Sequence, residues 1–357
     1  MTSDNEYKRT LSKIGGYLFP VIITLLFLYF AFRGIDLKKS FGLIINTSLL
    51  WLIVFLIVFY LSHFFRALRW KVMIKSFKSD VSTLNLFGAT MVGYGVNCVI
   101  PRLGELYRGL FLGKWEGISR TTMIGTVVVE RVIDVASFAM AALISVLIYS
   151  GNLFNDVPWL KLSLMIGFAL IFTMIIVLIL LVKFEKAFTA AIVKFVGKIN
   201  KKFSEKLSEV FSTLIYGFSS IQGLSNILYF ILLTIFIFIF YALNSYVGFY
   251  MIGMEKLNHI DFSMAWVFMA ITAFSVLIPT PGGTGSYHLI SIFVLSQLYN
   301  FSYEVSAAYA ILSHFIQYFV FIGSTVLLIY FINKKRIRSG ASKENFLSVF
   351  HIKMDQK

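Results

Sequence analysis

The sequence has few charged residues for its length. Of 357 residues, 14% are Asp, Glu, Lys or Arg, whereas 58% are hydrophobic. A soluble domain carries roughly 25% charged residues, so a water-soluble fold of this size would lack the polar groups to cover itself. This scarcity excludes a soluble globular protein. It predicts an all-α polytopic membrane protein, because the apolar residues occur in runs long enough to span a bilayer.

Cysteine is nearly absent as well. The single Cys98 excludes an internal disulfide and a cysteine-based zinc site. The first apolar stretch, 14–32, is too long for a signal-peptide core and lacks a clear cleavage site, so we expect it to remain as a span. We expect no cofactor and no metal.

The net charge is +15. Nucleic-acid binding is one interpretation, but Lys and Arg lie between the apolar runs, where they fix orientation and contact anionic lipid. We therefore expect no nucleic-acid partner.

The apolar runs predict about six full spans and two interrupted stretches. The spans lie at roughly 14–33, 41–62, 121–149, 160–182, 224–251 and 304–332. The interrupted stretches are Val81–Pro101 with Leu106–Gly113, and Phe262–Pro279 with Ser286–Tyr299.

Basic residues give the orientation. Most of them lie in 1–13, 63–80, 183–223 and 333–357, whereas 151–161 and 252–262 hold one lysine each. We expect a bacterial plasma-membrane protein, and because basic loops face the cytoplasm, both of its termini should be cytoplasmic. Each interrupted stretch must then return to the side it entered, as a re-entrant hairpin. The segment 33–40 is a mild exception to the pattern.

Two basic segments have the pattern of interfacial helices. In 66–78, Trp70, Ile74 and Phe77 form an apolar stripe beside basic residues, and 186–210 has the same pattern. Such helices lie at the level of the headgroups.

The two hairpins resemble each other. Pro101 matches Pro279 and Gly104 matches Gly282, both at an offset of 178 residues, half the chain. The predicted units are a first repeat at 14–150 with its hairpin near 81–113, a second at 151–332 with its hairpin near 262–299, and the flanks 1–13 and 333–357. Because they begin on opposite sides, they form an inverted repeat, which is typical of transporters with a site at the repeat interface.

The first hairpin carries charge at its break. Pro101 and Gly104 interrupt the helix, and the new helix N-terminus suits an anion such as phosphate. Arginine side chains can add bidentate contacts. The candidate headgroup-binding residues here are Asn97, Arg102, Glu105 and Arg108.

Three further charges, Glu130, Arg131 and Asp134, lie inside the predicted span 121–149. Ionisable residues in a span are costly and indicate a functional site. Arg131 can pair with Asp134 or Glu105. A lipid-headgroup site and a structural charge network both remain open.

The second hairpin is rich in glycine. Its candidate residues are Pro279, Pro281, Gly282, Gly283, Gly285 and His288. Glycines permit close backbone approach, so a phosphate cradle and plain backbone packing are both open. The segment is not a P-loop, because no strand is predicted before it and it lacks Gly-Lys-Ser/Thr.

These motifs together resemble the transmembrane region of bacterial lysylphosphatidylglycerol synthases, within a wider flippase-like group. The resemblance covers roughly residues 10–335. It implies re-entrant hairpins and transfer of lipid between leaflets. The chain stops after its basic tail, so we expect no synthase domain and no enzyme activity. His288 stands where the family often carries Glu, which puts a cationic aminoacyl-lipid substrate in doubt.

Three functions follow from these observations. The favoured one is a translocase that binds membrane phospholipids, anionic or phosphate-bearing, and works downhill or with an ion gradient, since no ATPase motif is present. The alternative is a non-transporting partner of a lipid or cell-envelope biosynthetic enzyme. An enzyme acting on a lipid-linked substrate is disfavoured, because no nucleophile–base pair or metal-binding motif is evident.

Overall fold

A computed structural model describes residues 18–184 and 223–350, with scattered positions between 190 and 208. These residues form α-helices and, over the described ranges, no strand. The helices are α1 (Leu18–Phe32), α2 (Leu37–Ile45), α3 (Leu49–Ile74), α4 (Thr83–Val99), α5 (Gly104–Glu116), α6 (Arg120–Ile148), α7 (Leu153–Asp156), α8 (Pro158–Lys183), α9 (Leu224–Met251), α10 (Phe262–Thr272), α11 (Ser286–Phe293) and α12 (Tyr303–Arg338). The all-α prediction is confirmed. The predicted helix at 186–210 lies largely outside the described residues.

Four helices of the described part, α3, α6, α9 and α12, are long and apolar enough to cross a membrane. The helices α1 and α2 are bent by 88° relative to each other, and they add a fifth span if they are counted together. The apolar segment of α8 among these residues, Pro158–Leu170, is shorter than a span. The count of six spans and two hairpins stays a prediction.

The chain turns twice before α3 begins. Gly34, with φ +79°, follows α1, and the Asp36 carboxylate caps α2 by accepting from the Lys39 N–H at 3.2 Å. The helix α2 ends at Ile45, and α3 begins at Leu49. The predicted bounds 41–62 are therefore wrong, because the polar run 46–48 interrupts the helix inside them.

The predicted interfacial helix at 66–78 is also wrong. The helix α3 continues without a break to Ile74, and both Trp70 and Ile74 are buried. The Trp70 indole N–H donates to Thr126 Oγ1 of α6 at 2.9 Å. The apolar stripe therefore packs inside the protein, and Arg66 and Arg69, counted as loop charges from the sequence, lie in its interior.

Each hairpin has its two ends held together. In the first, the Glu116 carboxylate at the end of α5 accepts from Lys78 Nζ at 2.9 Å and from the Ser82 N–H at 3.1 Å, just before α4. In the second, Asn258 Nδ2 donates to the Tyr299 carbonyl at 3.0 Å. The two ends of each stretch therefore lie next to each other.

The tips of the hairpins meet. Arg102 Nη2 donates to the Leu277 carbonyl at 3.0 Å. A Cβ on Gly282 would lie 3.3 Å from the Cα of Cys98, and the Tyr318 hydroxyl of α12 donates to the Cys98 carbonyl. The tip of the second hairpin therefore packs directly on the end of α4.

The two halves exchange helix contacts in the same way. The last helix of the first half, α6, accepts a hydrogen bond from Trp266 of α10 through the Ala141 carbonyl at 3.1 Å. The last helix of the second half, α12, donates from Thr325 Oγ1 to the Met91 carbonyl of α4 at 2.9 Å. Each last helix therefore packs on the opposite half's hairpin, which is consistent with two related units.

Candidate functional site

The charged side chains of three helices converge on one buried cluster. Arg66 and Arg69 come from α3, Arg108 from α5, and Glu130 and Asp134 from α6. The spacings of three and four residues place each helix's pair on one face. All five side chains are at least 94% buried, so their charges must be balanced by each other.

Glu130 is the centre of this cluster. Its Oε1 lies 3.0 Å from Arg66 Nε and 3.1 Å from Arg69 Nη2. Its Oε2 lies 2.8 Å from Arg108 Nη1. Asp134 accepts hydrogen bonds from Arg66 and Arg69. The cluster therefore ties α3 and α5 to α6.

The buried cations outnumber the buried anions. Three guanidinium groups face two carboxylates, an excess of one positive charge. Arg108 is the least satisfied of them: its Nε and Nη2 have no hydrogen-bond partner among the residues the structure describes. Its guanidinium carbon lies 3.9 Å from the centre of the Trp70 ring, a cation–π contact that partly replaces the missing bonds.

The cluster reaches the surface at Arg131. The Arg131 side chain is 36% exposed and that of Glu105 is 30% exposed. Arg131 Nε lies 3.6 Å from Glu105 Oε1, and its Nη1 lies 3.6 Å from Asp134 Oδ2. Both distances exceed a normal hydrogen bond. The rim of the cluster thus holds a cation that an incoming anion can reach.

Asn97 closes the break between α4 and α5. Its Oδ1 accepts from the Gly104 N–H at 2.8 Å, and its Nδ2 lies 3.3 Å from both Glu105 oxygens. A Cβ on Gly104 would overlap the Gly93 carbonyl, so only glycine lets the two helices approach this closely. The Gly104 amide, offered to an anion in the sequence prediction, is already occupied.

Arg102 lies apart from the cluster. It follows Pro101 at the tip, is exposed, and has φ +64°, an uncommon conformation for a residue with a side chain. Its guanidinium reaches the Leu277 carbonyl of the other hairpin. The structure therefore separates Arg102 from the other predicted headgroup residues.

The second hairpin packs tightly and carries no charge near its tip. His288 Nδ1 accepts from the Gly285 N–H at 3.3 Å, and its ring centre lies 4.7 Å from that of His314. A Cβ on Gly285, at φ +88°, would lie 2.8 Å from the Thr24 carbonyl of α1. Pro279, Pro281, Gly282 and Gly283 form the turn before it. These contacts are backbone packing, and none of these residues joins the charged cluster.

Sequence reasoning missed Arg66 and Arg69. Arg66 falls on the polar face of the predicted interfacial helix at 66–78, and Arg69 counts only among the basic residues of 63–80. A usable signal was present: the apolar run from Leu49 continues into this segment without a Pro or Gly, so one helix carries both arginines. Two arginines inside a span require buried carboxylates, and Glu130 and Asp134 are available.

Comparisons with known proteins identify the family of this chain. A family model described as the lysylphosphatidylglycerol synthase TM region matches residues 17–324. A UPF0104 membrane protein of Methanocaldococcus jannaschii is 31% identical over 153 residues, which cover 42% of this chain and 46% of that protein. The chain thus spans about half the length of this curated relative. No solved structure matches. Since the family match extends over most of the sequence, this multi-pass membrane protein belongs to the lysylphosphatidylglycerol synthase TM-region family.

Proposed function

We propose that this protein binds the headgroup of a phospholipid or lipid-linked molecule at the rim of the charged cluster and moves it between the leaflets of a bacterial plasma membrane. Both termini would face the cytoplasm. The single observation that carries the proposal is the partly exposed, incompletely paired Arg131 at the edge of a cluster with excess positive charge.

The rim suits a phosphate. Arg131 can replace its two 3.6 Å carboxylate contacts with shorter bidentate hydrogen bonds to a phosphate group. Glu105, fixed by Asn97, would then be free to meet a positive or hydroxylated part of the headgroup. The buried part of the cluster keeps α5 and α6 in place while this exchange occurs.

The fold offers a route for movement. Two hairpins whose tips meet, each packed on the opposite half, can open toward either side if the halves rock about that contact. The excess positive charge favours anionic over cationic headgroups.

Lipid transfer by the purified protein in vesicles tests the proposal, with fluorescent phospholipids that differ in headgroup. Arg131→Gln should reduce transfer at least about tenfold, because loss of a charge-assisted hydrogen bond costs roughly 1.5–3 kcal/mol. The matched control is Arg120→Gln, on the same helix, whose Nη1 donates to the Val349 carbonyl at 2.8 Å outside the cluster. Thermal unfolding must show that both variants fold. Equal transfer by the wild type and Arg131→Gln would contradict the proposal.

The second candidate is a non-transporting partner of a lipid or cell-envelope biosynthetic enzyme. It is favoured by one observation: Arg66 and Arg69 already hold both buried carboxylates, so most of the cluster is self-paired. In that case no lipid would be transferred, with or without a pH gradient. Function in cells would then be lost on substitution of surface residues that contact the enzyme and not in Arg131→Gln.

A further inference from the structure

An apolar groove lies between α8 and the second hairpin. Its volume is about 490 Å³, within the range of roughly 300–1,000 Å³ for ligand pockets. The helix α8 contributes Trp159 and Ser163, and every other lining side chain is hydrophobic and belongs to the hairpin, including Phe274, Leu277 and Leu289. Ser163 thus provides the one hydroxyl group of the lining. A strongly polar occupant would find too few hydrogen-bond partners in the groove, so it is excluded.

A cation contacts the backbone of one residue that lines this groove. Leu277, which lines the groove, accepts a hydrogen bond from Arg102 through its carbonyl at 3.0 Å. A guanidinium group has five N–H donors, and this contact uses one. Arg102 is exposed, so the remaining donors can reach an anion beside the groove. An apolar groove with an arginine bonded to one of its lining residues is complementary to a molecule with a hydrocarbon chain and an anionic group.

We propose that the groove holds one acyl chain of a phospholipid whose phosphate is bound by Arg102. This inference rests on the proposed function, because it names where the lipid lies while its headgroup passes the hairpin tips. Arg131, at the rim of the cluster, and Arg102, at the tip of the first hairpin, are then two successive phosphate contacts. The chain in the groove keeps the lipid at the protein between them.

Photocrosslinking tests the groove on the unaltered protein. Vesicles of phosphatidylglycerol with a photoreactive group on one acyl chain are irradiated, and the adducts are mapped by mass spectrometry. We expect adducts concentrated on the lining residues Trp159, Phe274 and Leu289. Adducts spread evenly over the exposed apolar helices would overturn the proposal.

Two variants separate the chain from the phosphate. Ser163→Phe should fill the groove and weaken binding of long-chain phosphatidylglycerol at least about tenfold, while binding of the dihexanoyl lipid changes by less than about twofold. Arg102→Gln should weaken both. The matched control, Leu162→Phe, alters a neighbouring α8 side chain that is 61% exposed and does not line the groove.

The outcomes distinguish this proposal from the proposed function. If Ser163→Phe behaves like Leu162→Phe, the groove is not an acyl site, whatever the transfer assay shows. If the groove variants behave as expected but Arg131→Gln transfers lipid normally, the protein binds lipid in the groove and the translocation mechanism at the rim is wrong.

Discussion

The last helices of the two halves place different chemistry at matching positions. Counted from the N-caps Ser119 and Ser302, Glu130 in α6 and Ser313 in α12 are both the eleventh residue. The position after Glu130 holds Arg131, whereas the position after Ser313 holds His314. The buried polar groups around the first hairpin include ionised pairs, whereas those around the second form neutral hydrogen bonds, such as that between the Thr280 and Ser286 hydroxyls at 3.0 Å.

The two predicted repeat units therefore differ in the chemistry of their interiors. The second hairpin and α12 contact α1 and the end of α4 through glycines and aromatic side chains, which gives close packing without a desolvation cost for charges. The charged half carries an excess cation that only a further anion would balance. Under the proposed function, the headgroup binds in the first half and the second half supplies a supporting surface.

The largest effect is expected from removing the central carboxylate. Glu130→Gln keeps the shape of the side chain but leaves three buried guanidinium groups with Asp134 as their one buried anion. The free energy of unfolding should fall by about 3–5 kcal/mol, the usual cost of breaking a buried ion pair. Thermal unfolding in detergent measures it.

Glu304→Gln is the matched control in the second half. Glu304 lies in the first turn of α12 and no ion pair of the described residues includes it. Its substitution should change stability by less than about 0.5 kcal/mol. Similar losses for the two variants would remove the contrast between the halves.

A smaller effect is expected from blocking the closure of the first hairpin. In Gly104→Ala the new methyl group would overlap the Gly93 carbonyl, which is backbone and cannot turn aside. Overpacking of this kind costs typically 1–3 kcal/mol. Gly42→Ala, at an open position of α2, should be neutral or slightly stabilising. Hydrogen exchange of the α5 amides measures how far α4 and α5 separate, and it should become faster in Gly104→Ala. Unchanged exchange would show that the two helices accommodate the added methyl group.

A neutral hydrogen bond of the second half should matter less. The Tyr287 hydroxyl lies 3.0 Å from Ser313 Oγ, and Tyr287→Phe removes it without a change of shape. We expect a loss of about 1 kcal/mol in unfolding free energy and unchanged lipid transfer. A loss of transfer as large as that of Arg131→Gln would place function in the second half.

The smallest effect concerns the open ends of the hairpins. The first is held by the Lys78–Glu116 ion pair and the second by the neutral Asn258–Tyr299 bond. The hydrogen bond to Glu116 raises the pKa of Lys78. The pair's contribution, about 0–1 kcal/mol, is therefore complete below the ordinary lysine pKa of about 10.4 and is lost as pH rises through the raised value.

Melting curves recorded from about pH 8 to about pH 11 measure this loss. The wild type should lose slightly more stability over that range than Lys78→Gln, which lacks the pair already. Identical pH profiles would show that the ion pair does not hold the hairpin.

Part of this site was predictable from the sequence. Glu130 and Asp134 stand out because ionised groups inside an apolar run need partners. The resemblance of Pro101 and Gly104 to Pro279 and Gly282 pointed to two related hairpins, whose tips the structure brings together. Both signals are patterns of neighbouring residues, so they can be recognised in a single sequence.

The partners in the cluster were harder to predict. Arg66 and Arg69 have the same helical spacing whether their helix lies on a membrane surface or is buried. The unbroken apolar run from Leu49 favours one long helix, but which carboxylates pair with the two arginines depends on the position of α6. Asn97 looked like a headgroup ligand, yet its amide caps Gly104 and orients Glu105. Such roles depend on tertiary contacts between helices, and the periodicity of a sequence does not predict these contacts.

The most direct measurement is the number of phosphatidylglycerol molecules retained by the purified protein in native mass spectrometry. The comparison is between the wild type, Arg131→Gln in the first half and His314→Gln in the second. If the headgroup binds at the rim of the charged cluster, Arg131→Gln loses one bound lipid and His314→Gln retains it. Equal retention by all three proteins, or loss in His314→Gln alone, would contradict a headgroup site in the first half.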